Sequence, residues 1–130
     1  MKILVGYDGS KVAEEVLKVA HKHALAFKAD VYIMTSLEQS PTLKKEDIDK
    51  AEGKLENLRK PFKTDGIACE IQTSVSYESP GEDIVRFAKN NAIEEIIMGV
   101  KRRSKVGKLV FGSTAQYVIL NAPCPVLTVR

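Results

Sequence analysis

Short apolar runs alternate with longer segments of helical periodicity along the whole chain. Strands are predicted at Lys2–Tyr7, Val31–Leu37, Ile67–Val75, Glu94–Gly99 and Pro125–Val129. Between them, apolar residues three and four positions apart predict four amphipathic helices. This alternation is typical of an α/β fold with a mainly parallel sheet and helices on both faces. We expect five strands in the order 3-2-1-4-5, a Rossmann-like arrangement, in one domain over residues 1–130.

The first two helices are predicted from their apolar faces. The first covers residues 11–28 with Ser10 as N-cap, and its inward positions are Ala13, Val16, Leu17, Ala20, Ala24 and Phe27. The second turns inward Ile48, Ala51, Leu55, Leu58 and Phe62. Pro61 is expected to end or kink this helix near residue 60, because proline lacks the N–H group. The opposite face, rich in lysine and glutamate, is interpreted as solvated.

The last two helices are predicted from their first residues. Ser79-Pro80-Gly81-Glu82 is a capping-box pattern with proline at the first helical position, and Ser113 to Gln116 is a second such pattern. The inward positions are Ile84, Val85 and Ala88 in the third helix, then Ala115, Val118, Ile119 and Ala122 in the fourth. Pro123 should stop the fourth helix.

Charge is distributed unevenly. The chain carries a formal net charge of +3, but residues 101–108 alone contribute five positive charges and no negative one, so the remainder carries −2. A local basic excess favours a discrete anion site over a nucleic-acid coat. We expect no nucleic-acid partner, no membrane span and a cytoplasmic location, and we expect Cys69 and Cys124 to be free thiols.

Two glycine-containing turns are predicted to meet at one crevice. Ligands of such sheets bind beyond the carboxyl ends of the strands, where the strand order reverses, which here lies between the first and fourth strands. The turn Asp8-Gly9-Ser10 and the segment after Gly99 both emerge there. Gly112-Ser113-Thr114 at a helix start offers N–H and hydroxyl groups to an anion. A bound nucleotide phosphate chain would require these groups.

The chain resembles the universal stress protein family over nearly its whole length. Its beginning, Ile3-Leu4-Val5-Gly6-Tyr7-Asp8-Gly9-Ser10, is similar to that family's first strand and loop, and Gly112 to Val126 is similar to its last helix and strand. ATP-binding members carry a glycine, two residues, a second glycine, nine residues, and then glycine with serine or threonine. Gly99, Gly112 and Ser113 match this spacing, whereas Arg102 occupies the second glycine position.

The resemblance implies a stress-response protein that binds ATP or another adenine nucleotide, such as AMP, with or without Mg, and forms a homodimer through its last strand. The residues expected to contact the nucleotide are Tyr7, Asp8, Gly9, Ser10, Ser36, Met98, Gly99, Val100, Arg102, Arg103, Gly112, Ser113 and Thr114. No metal ligands are assigned. Arg102 either contacts phosphate, fills the site or favours a shorter nucleotide.

Other functions remain open at this point. His21 and His23 are two residues apart on a helix, so they face different directions and are interpreted as solvated. No catalytic set is evident, and any ATPase or autophosphorylation activity is expected to be slow. The segment Thr73 to Tyr77 lacks the aspartate of a phosphoacceptor domain. The main alternative is a dimeric interaction protein of the same fold that binds no nucleotide.

Overall fold

The computed structural model of the protein describes residues 1–100 and 111–130 in full, and residues 102–103 and 109–110 by their backbone alone. The strands within these ranges are β1 (Lys2–Gly6), β2 (Asp30–Glu38), β3 (Cys69–Ser76), β4 (Glu95–Gly99), β5 (Arg102–Arg103), β6 (Leu109–Val110) and β7 (Val126–Val129). The helices are α1 (Val12–Phe27), α2 (Lys45–Thr64), α3 (Pro80–Asn90) and α4 (Ser113–Asn121).

The main sheet has five parallel strands in the order β3-β2-β1-β4-β7, which confirms the predicted fold. β1 lies in the middle, with Ile3 beside Val31 of β2 and beside Glu95 of β4. The chain therefore reverses its order across β1 and β4, and this reversal opens a crevice at their carboxyl ends. β5 and β6 form a small antiparallel hairpin that the sequence analysis did not predict.

Two hydrophobic layers enclose the sheet. α1 and α2 cover one face, where Ile3, Val5 and Ile33 are fully buried with Leu55 of α2. α3 and α4 cover the other face, which contains the buried Leu4, Met34, Ile96 and Met98 with Val118 of α4. Strands buried on both faces explain the near-continuous apolar runs of β1 and β4. The helices on both faces are as predicted.

Pro61 was expected to end or kink α2 near residue 60, and the structure shows that it does not end the helix. The helix continues through Pro61 to Thr64. The next residue, Phe62, is 2% exposed and packs into the core beneath α2, where its ring lies tilted against the His21 ring with centroids 5.2 Å apart. Burial of this large aromatic side chain outweighs the hydrogen bond that proline removes.

Two of the predicted helix starts also need correction. Ser10 belongs to the turn before α1, where its N–H donates to Asp8 Oδ1 (3.0 Å) and its carbonyl accepts from Ala13. In α4, Gly112 rather than Ser113 is the N-cap residue. Ser79 does cap α3, because its Oγ accepts the Glu82 N–H.

Several outward-facing side chains differ from expectation. Phe27 and Ile119, predicted to point inward, are 55% and 42% exposed. His21 and His23 are not simply solvated. Each pairs with a carboxylate, His21 Nε2 with Asp65 Oδ2 at 2.7 Å and His23 Nδ1 with Glu95 Oε1 at 2.9 Å. These pairs tie α1 to the end of α2 and to the start of β4.

Candidate functional site

A cleft of about 430 Å³ lies beyond the carboxyl ends of β1, β2 and β4, beside the first turns of α3 and α4. This volume lies within the range of pockets that hold small molecules. The cleft is lined by Gly6, Tyr7, Asp8, Met34, Thr35, Ser36, Leu37, Pro80, Ile84, Met98, Gly99, Val100, Gly112, Ser113, Thr114 and Ala115. It occupies the crevice that the strand order predicts.

Most of the residues expected to contact a ligand line this one cleft. They are Tyr7, Asp8, Ser36, Met98, Gly99, Val100, Gly112, Ser113 and Thr114. Gly9 instead lines a smaller adjoining cleft, and Ser10 lines neither. The backbone of Arg102 and Arg103 forms β5, whereas their side chains and the basic residues Lys101, Lys105 and Lys108 lie outside the described residues.

Sequence reasoning missed several residues that line the cleft. Thr35 and Leu37 flank Ser36 at the end of β2, and Pro80 and Ile84 come from the start of α3. The end of β2 could have been found from the rule that such crevices form at carboxyl ends of strands. The α3 residues depend on how that helix crosses the sheet, which the sequence pattern does not specify.

Gly99 lies where α1 passes closely over the end of β4. A Cβ atom at this position would lie 3.0 Å from Val12 Cγ1 and 3.3 Å from Val12 Cβ. The close approach of α1 therefore requires glycine here, independently of any ligand. Sequence analysis placed the same glycine among the residues expected to contact the nucleotide.

Gly112 has no such structural requirement. Its backbone angles of φ −68° and ψ 165° suit any residue, and no described atom lies within 4 Å of where its Cβ would be. Neither backbone strain nor packing against the described residues explains this glycine. Gly112 lines the cleft, so it leaves this part of the cleft wall without a side chain.

The start of α4 points an uncapped helix N-terminus at the cleft. Among the residues that the structure describes, no side chain caps this end, and the first turn of the helix contains no acidic residue. Gln116, expected to complete a capping box, donates from Nε2 to the carbonyl of Phe111 at 2.9 Å. The first N–H groups and the positive end of the helix dipole can therefore hold an anion.

Ser36 contributes a buried hydroxyl to the opposite side of the cleft. Its Oγ atom is inaccessible to solvent and has no hydrogen-bond partner among residues 1–100 and 111–130. Ser36 is two residues after Met34, so both side chains lie on the face of β2 that α3 and α4 cover. Met34 also lines the cleft. A buried polar atom without a partner is uncommon in folded proteins and needs an explanation.

A buried acidic network holds α3 against the end of β3. Asp83 is 1% exposed, and its Oδ1 accepts hydrogen bonds from Ser76 Oγ at 2.7 Å and from Arg86 at 2.5 Å. Arg86 also pairs with Glu78, and hydrogen bonds to these two carboxylates raise the pKa of Arg86. This network fixes the first turn of α3, which carries Pro80 onto the cleft wall.

Two kinds of site are missing from the part of the chain that the structure describes. No helix there combines the length and apolarity needed to cross a membrane. No group of three or more His, Cys, Asp or Glu side chains in the same ranges is placed to hold a metal ion.

Comparison with known proteins assigns the chain to a family. A sequence profile of the universal stress protein family matches residues 1–130. The universal stress protein MJ0531 of Methanocaldococcus jannaschii is 31% identical over 140 residues, which cover 99% of this chain and 81% of that protein. A universal stress protein structure from Archaeoglobus fulgidus is 36% identical with a TM-score of 0.88, covering 100% of this chain and 98% of the other. A universal stress protein from the same organism, solved in complex with dAMP, is 32% identical with a TM-score of 0.84 and the same coverage. The chain therefore belongs to the universal stress protein family.

Proposed function

We propose that this protein binds an adenine nucleotide in the cleft between β1 and β4 and acts as a nucleotide-dependent regulatory dimer in a stress response. Family membership supports the stress-response role. The complex of an Archaeoglobus fulgidus relative with dAMP supports an adenine nucleotide as the ligand class. The cleft adds a pocket of suitable volume with an anion-binding helix start on one wall.

The chemistry of the walls orients the nucleotide. The phosphates lie at the first turn of α4, where Ser113 and Thr114 add hydroxyl groups to the free N–H groups. The base lies toward β2, where it offers a hydrogen-bonding partner to the buried hydroxyl of Ser36. The ribose lies between them, beside Asp8 and Gly99.

The observation that carries this proposal is Gly112. A phosphate approaches the N–H groups of a helix start most closely where the N-cap residue has no side chain. Gly112 supplies that bare backbone although its backbone angles and described surroundings accept a side chain.

The experiment uses isothermal titration calorimetry of nucleotide-free protein with AMP, ADP and ATP. We expect a Kd of roughly micromolar, and ligand at about 100 times Kd should add about 2.7 kcal/mol to the free energy of unfolding. Gly112→Val should abolish binding and cost at most about 1 kcal/mol of stability, because valine is a poor N-cap.

Gly112→Ser is the matched control for folding. Serine is a favourable N-cap because its hydroxyl accepts a hydrogen bond from an N–H group of the first turn. This variant should therefore be at least as stable as the natural protein. Its affinity for nucleotide should nevertheless be lower, because that N–H group is no longer available to the phosphate. Undiminished affinity in both variants would remove Gly112 from the site. If none of the three nucleotides binds at millimolar concentration, the protein is instead an interaction module without nucleotide.

Arg102 is the departure from the family motif, and its role can be tested directly. If its guanidinium contacts phosphate, Arg102→Ala should weaken ATP binding by roughly 1.5–3 kcal/mol, with a smaller loss at high salt. If it fills the site, Arg102→Gly should tighten ATP binding. No change in either variant would mean that Arg102 points to solvent.

The dimer is proposed to form through β7, which lies at an edge of the sheet. The carbonyl of Pro125 accepts a hydrogen bond from Ile96 of β4, and that of Val129 accepts one from Val100, the residue after β4. Backbone alternation along a strand therefore turns the N–H of Thr128 toward the free edge. An apolar edge strand of this kind favours pairing with a second copy.

Thr128→Pro tests this pairing, because proline removes an outward N–H while leaving the bonds to β4 in place. Sedimentation should show a dimer for the natural protein and a monomer for Thr128→Pro. Leu127→Asp should also dissociate the dimer, but Leu127 packs against the core, so its effect on folding must be measured too. A natural protein that is monomeric at micromolar concentration would overturn the proposed dimer.

A further inference from the structure

A second, smaller cleft of about 260 Å³ adjoins the first one. The two share four lining residues, namely Tyr7, Asp8, Thr35 and Leu37. The second cleft then continues to α2, which contributes Asp47, Lys50, Ala51 and Lys54. The spacing of these four positions places them on one face of the helix. Sequence analysis interpreted the lysines as part of a solvated surface.

The two clefts lie on opposite faces of the sheet. Thr35 and Ile33 lie on the face of β2 that α1 and α2 cover. Ser36 and Met34 lie on the opposite face. The clefts meet over the end of β1, at Tyr7 and Asp8. A ligand in the first cleft can therefore continue across the edge of the sheet into the second.

In the second cleft the two carboxylates accept hydrogen bonds, whereas the two lysines form no ion pair with a described residue. Asp47 Oδ2 accepts the N–H of Lys44 at 3.0 Å, and Asp8 Oδ1 accepts the N–H of Ser10 at 3.0 Å. Lys50 and Lys54 are exposed, and neither has a carboxylate oxygen within 4.0 Å among the described residues. They are one helical turn apart, where like charges repel each other. An anion between the two ammonium groups would relieve this repulsion.

We infer that the second cleft binds a second anionic group of the same ligand, and that the ligand is an adenine nucleotide whose ribose carries an additional phosphate. This inference rests on the proposed function, which places the ribose beside Asp8. Because Asp8 borders both clefts, a substituent on the ribose hydroxyls has the shortest route to the lysines. The phosphate at C5′ occupies the start of α4, so the second phosphate must come from the other side of the sugar.

The experiment compares the affinities of AMP and adenosine 3′,5′-bisphosphate by calorimetry at low salt. The bisphosphate should bind about tenfold more tightly, the size expected for two solvent-exposed ion pairs. In the double variant Lys50→Gln with Lys54→Gln, the ratio of the two affinities should fall to about 1. Glutamine keeps a similar helix propensity, so α2 should remain intact.

The matched control is the double variant Lys22→Gln with Lys60→Gln, which removes the same charge from exposed positions away from both clefts. It should keep the tenfold preference, and raising the salt concentration should reduce that preference in the natural protein. Equal binding of the two ligands to the natural protein, or an equal loss in both double variants, would overturn the inference. Failure of AMP itself to bind would refute the proposed nucleotide site instead, and the second subsite with it.

Discussion

The contact between Gly99 and Val12 predicts the cost of adding one methyl group. In Gly99→Ala, the new Cβ would lie 3.0 Å from Val12 Cγ1, 3.3 Å from Val12 Cβ and 3.4 Å from Val16 Cγ2. Valine is branched at Cβ and cannot rotate both close atoms away, so α1 must shift. Overpacking of this kind costs about 1–3 kcal/mol.

A smaller effect opposes this cost. Alanine at a strand position is about 0.5–1 kcal/mol more favourable than glycine, because it loses less backbone entropy. The net loss in free energy of unfolding should therefore be about 1–2 kcal/mol. For a domain of this size, the midpoint of thermal unfolding should fall by about 5 °C.

Urea unfolding of Gly99→Ala, Val12→Ala and the double variant measures the coupling energy between these two positions. Val12→Ala alone should cost about 1 kcal/mol in lost packing, because Val12 is only half-buried. The double variant should cost no more than Val12→Ala alone, which gives a coupling energy of about 1–2 kcal/mol. If Gly99→Ala is fully stable, or if Val12→Ala does not rescue it, then packing against α1 is not the reason for this glycine.

Three further predictions concern single side chains. Ser36→Ala should raise the free energy of unfolding by up to about 1 kcal/mol, because it removes a buried hydroxyl without a partner among the described residues. It should also weaken AMP binding if the proposed ligand bonds to this hydroxyl. Ser74→Ala, beside it on β3, is the control for both measurements. Asp83→Ala should cost about 1–3 kcal/mol in urea unfolding, because it leaves the Ser76 hydroxyl and Arg86 without this partner. Burial raises the pKa of Cys69 from 9.0 to about 11, so the unfolded chain loses this proton at a lower pH than the folded protein. The free energy of unfolding should therefore fall by about 2 kcal/mol between pH 9 and 11. Cys69→Ala should lack this part of the pH dependence.

The strands were predictable because β1, β2 and β4 have apolar runs that are buried in the core, β3 largely alternates between more and less buried positions, and β7 is apolar and partly buried. The alternation of strands and helices predicted a parallel sheet, and right-handed crossovers restricted the strand order. The sequence placed Phe62 on the inward face of α2 but did not decide whether Pro61 ends or kinks that helix. The outcome depends on the packing of Phe62 in a core assembled from distant segments. The hairpin of β5 and β6 was also missed, since two-residue strands leave no periodic signal.

The residues of the candidate site that lie at strand ends or at a helix start were predictable from the sequence. Those that depend on how a helix packs on the sheet were not. Asp8, Gly99 and Ser113 come directly from loops at carboxyl ends or from a helix start, and all three line the cleft. Lys50 lines the second cleft only because α2 crosses the sheet at a particular angle. The packing reason for Gly99 required knowing which side chain of α1 lies above it.

The position of β1 between β2 and β4 has a consequence for the order of folding. The pairing of Ile3 with Glu95 closes a loop of more than 90 residues, whereas β1 and β2 are joined by a single helix. Loop-closure entropy makes such distant contacts late and slow to form. The cleft needs β4 and α4, so a chain in which only β1 to β3 have assembled has no nucleotide site. If the cleft binds a nucleotide as proposed, the nucleotide should leave the folding rate nearly unchanged and slow unfolding. The lifetime of the folded protein would then depend on nucleotide concentration.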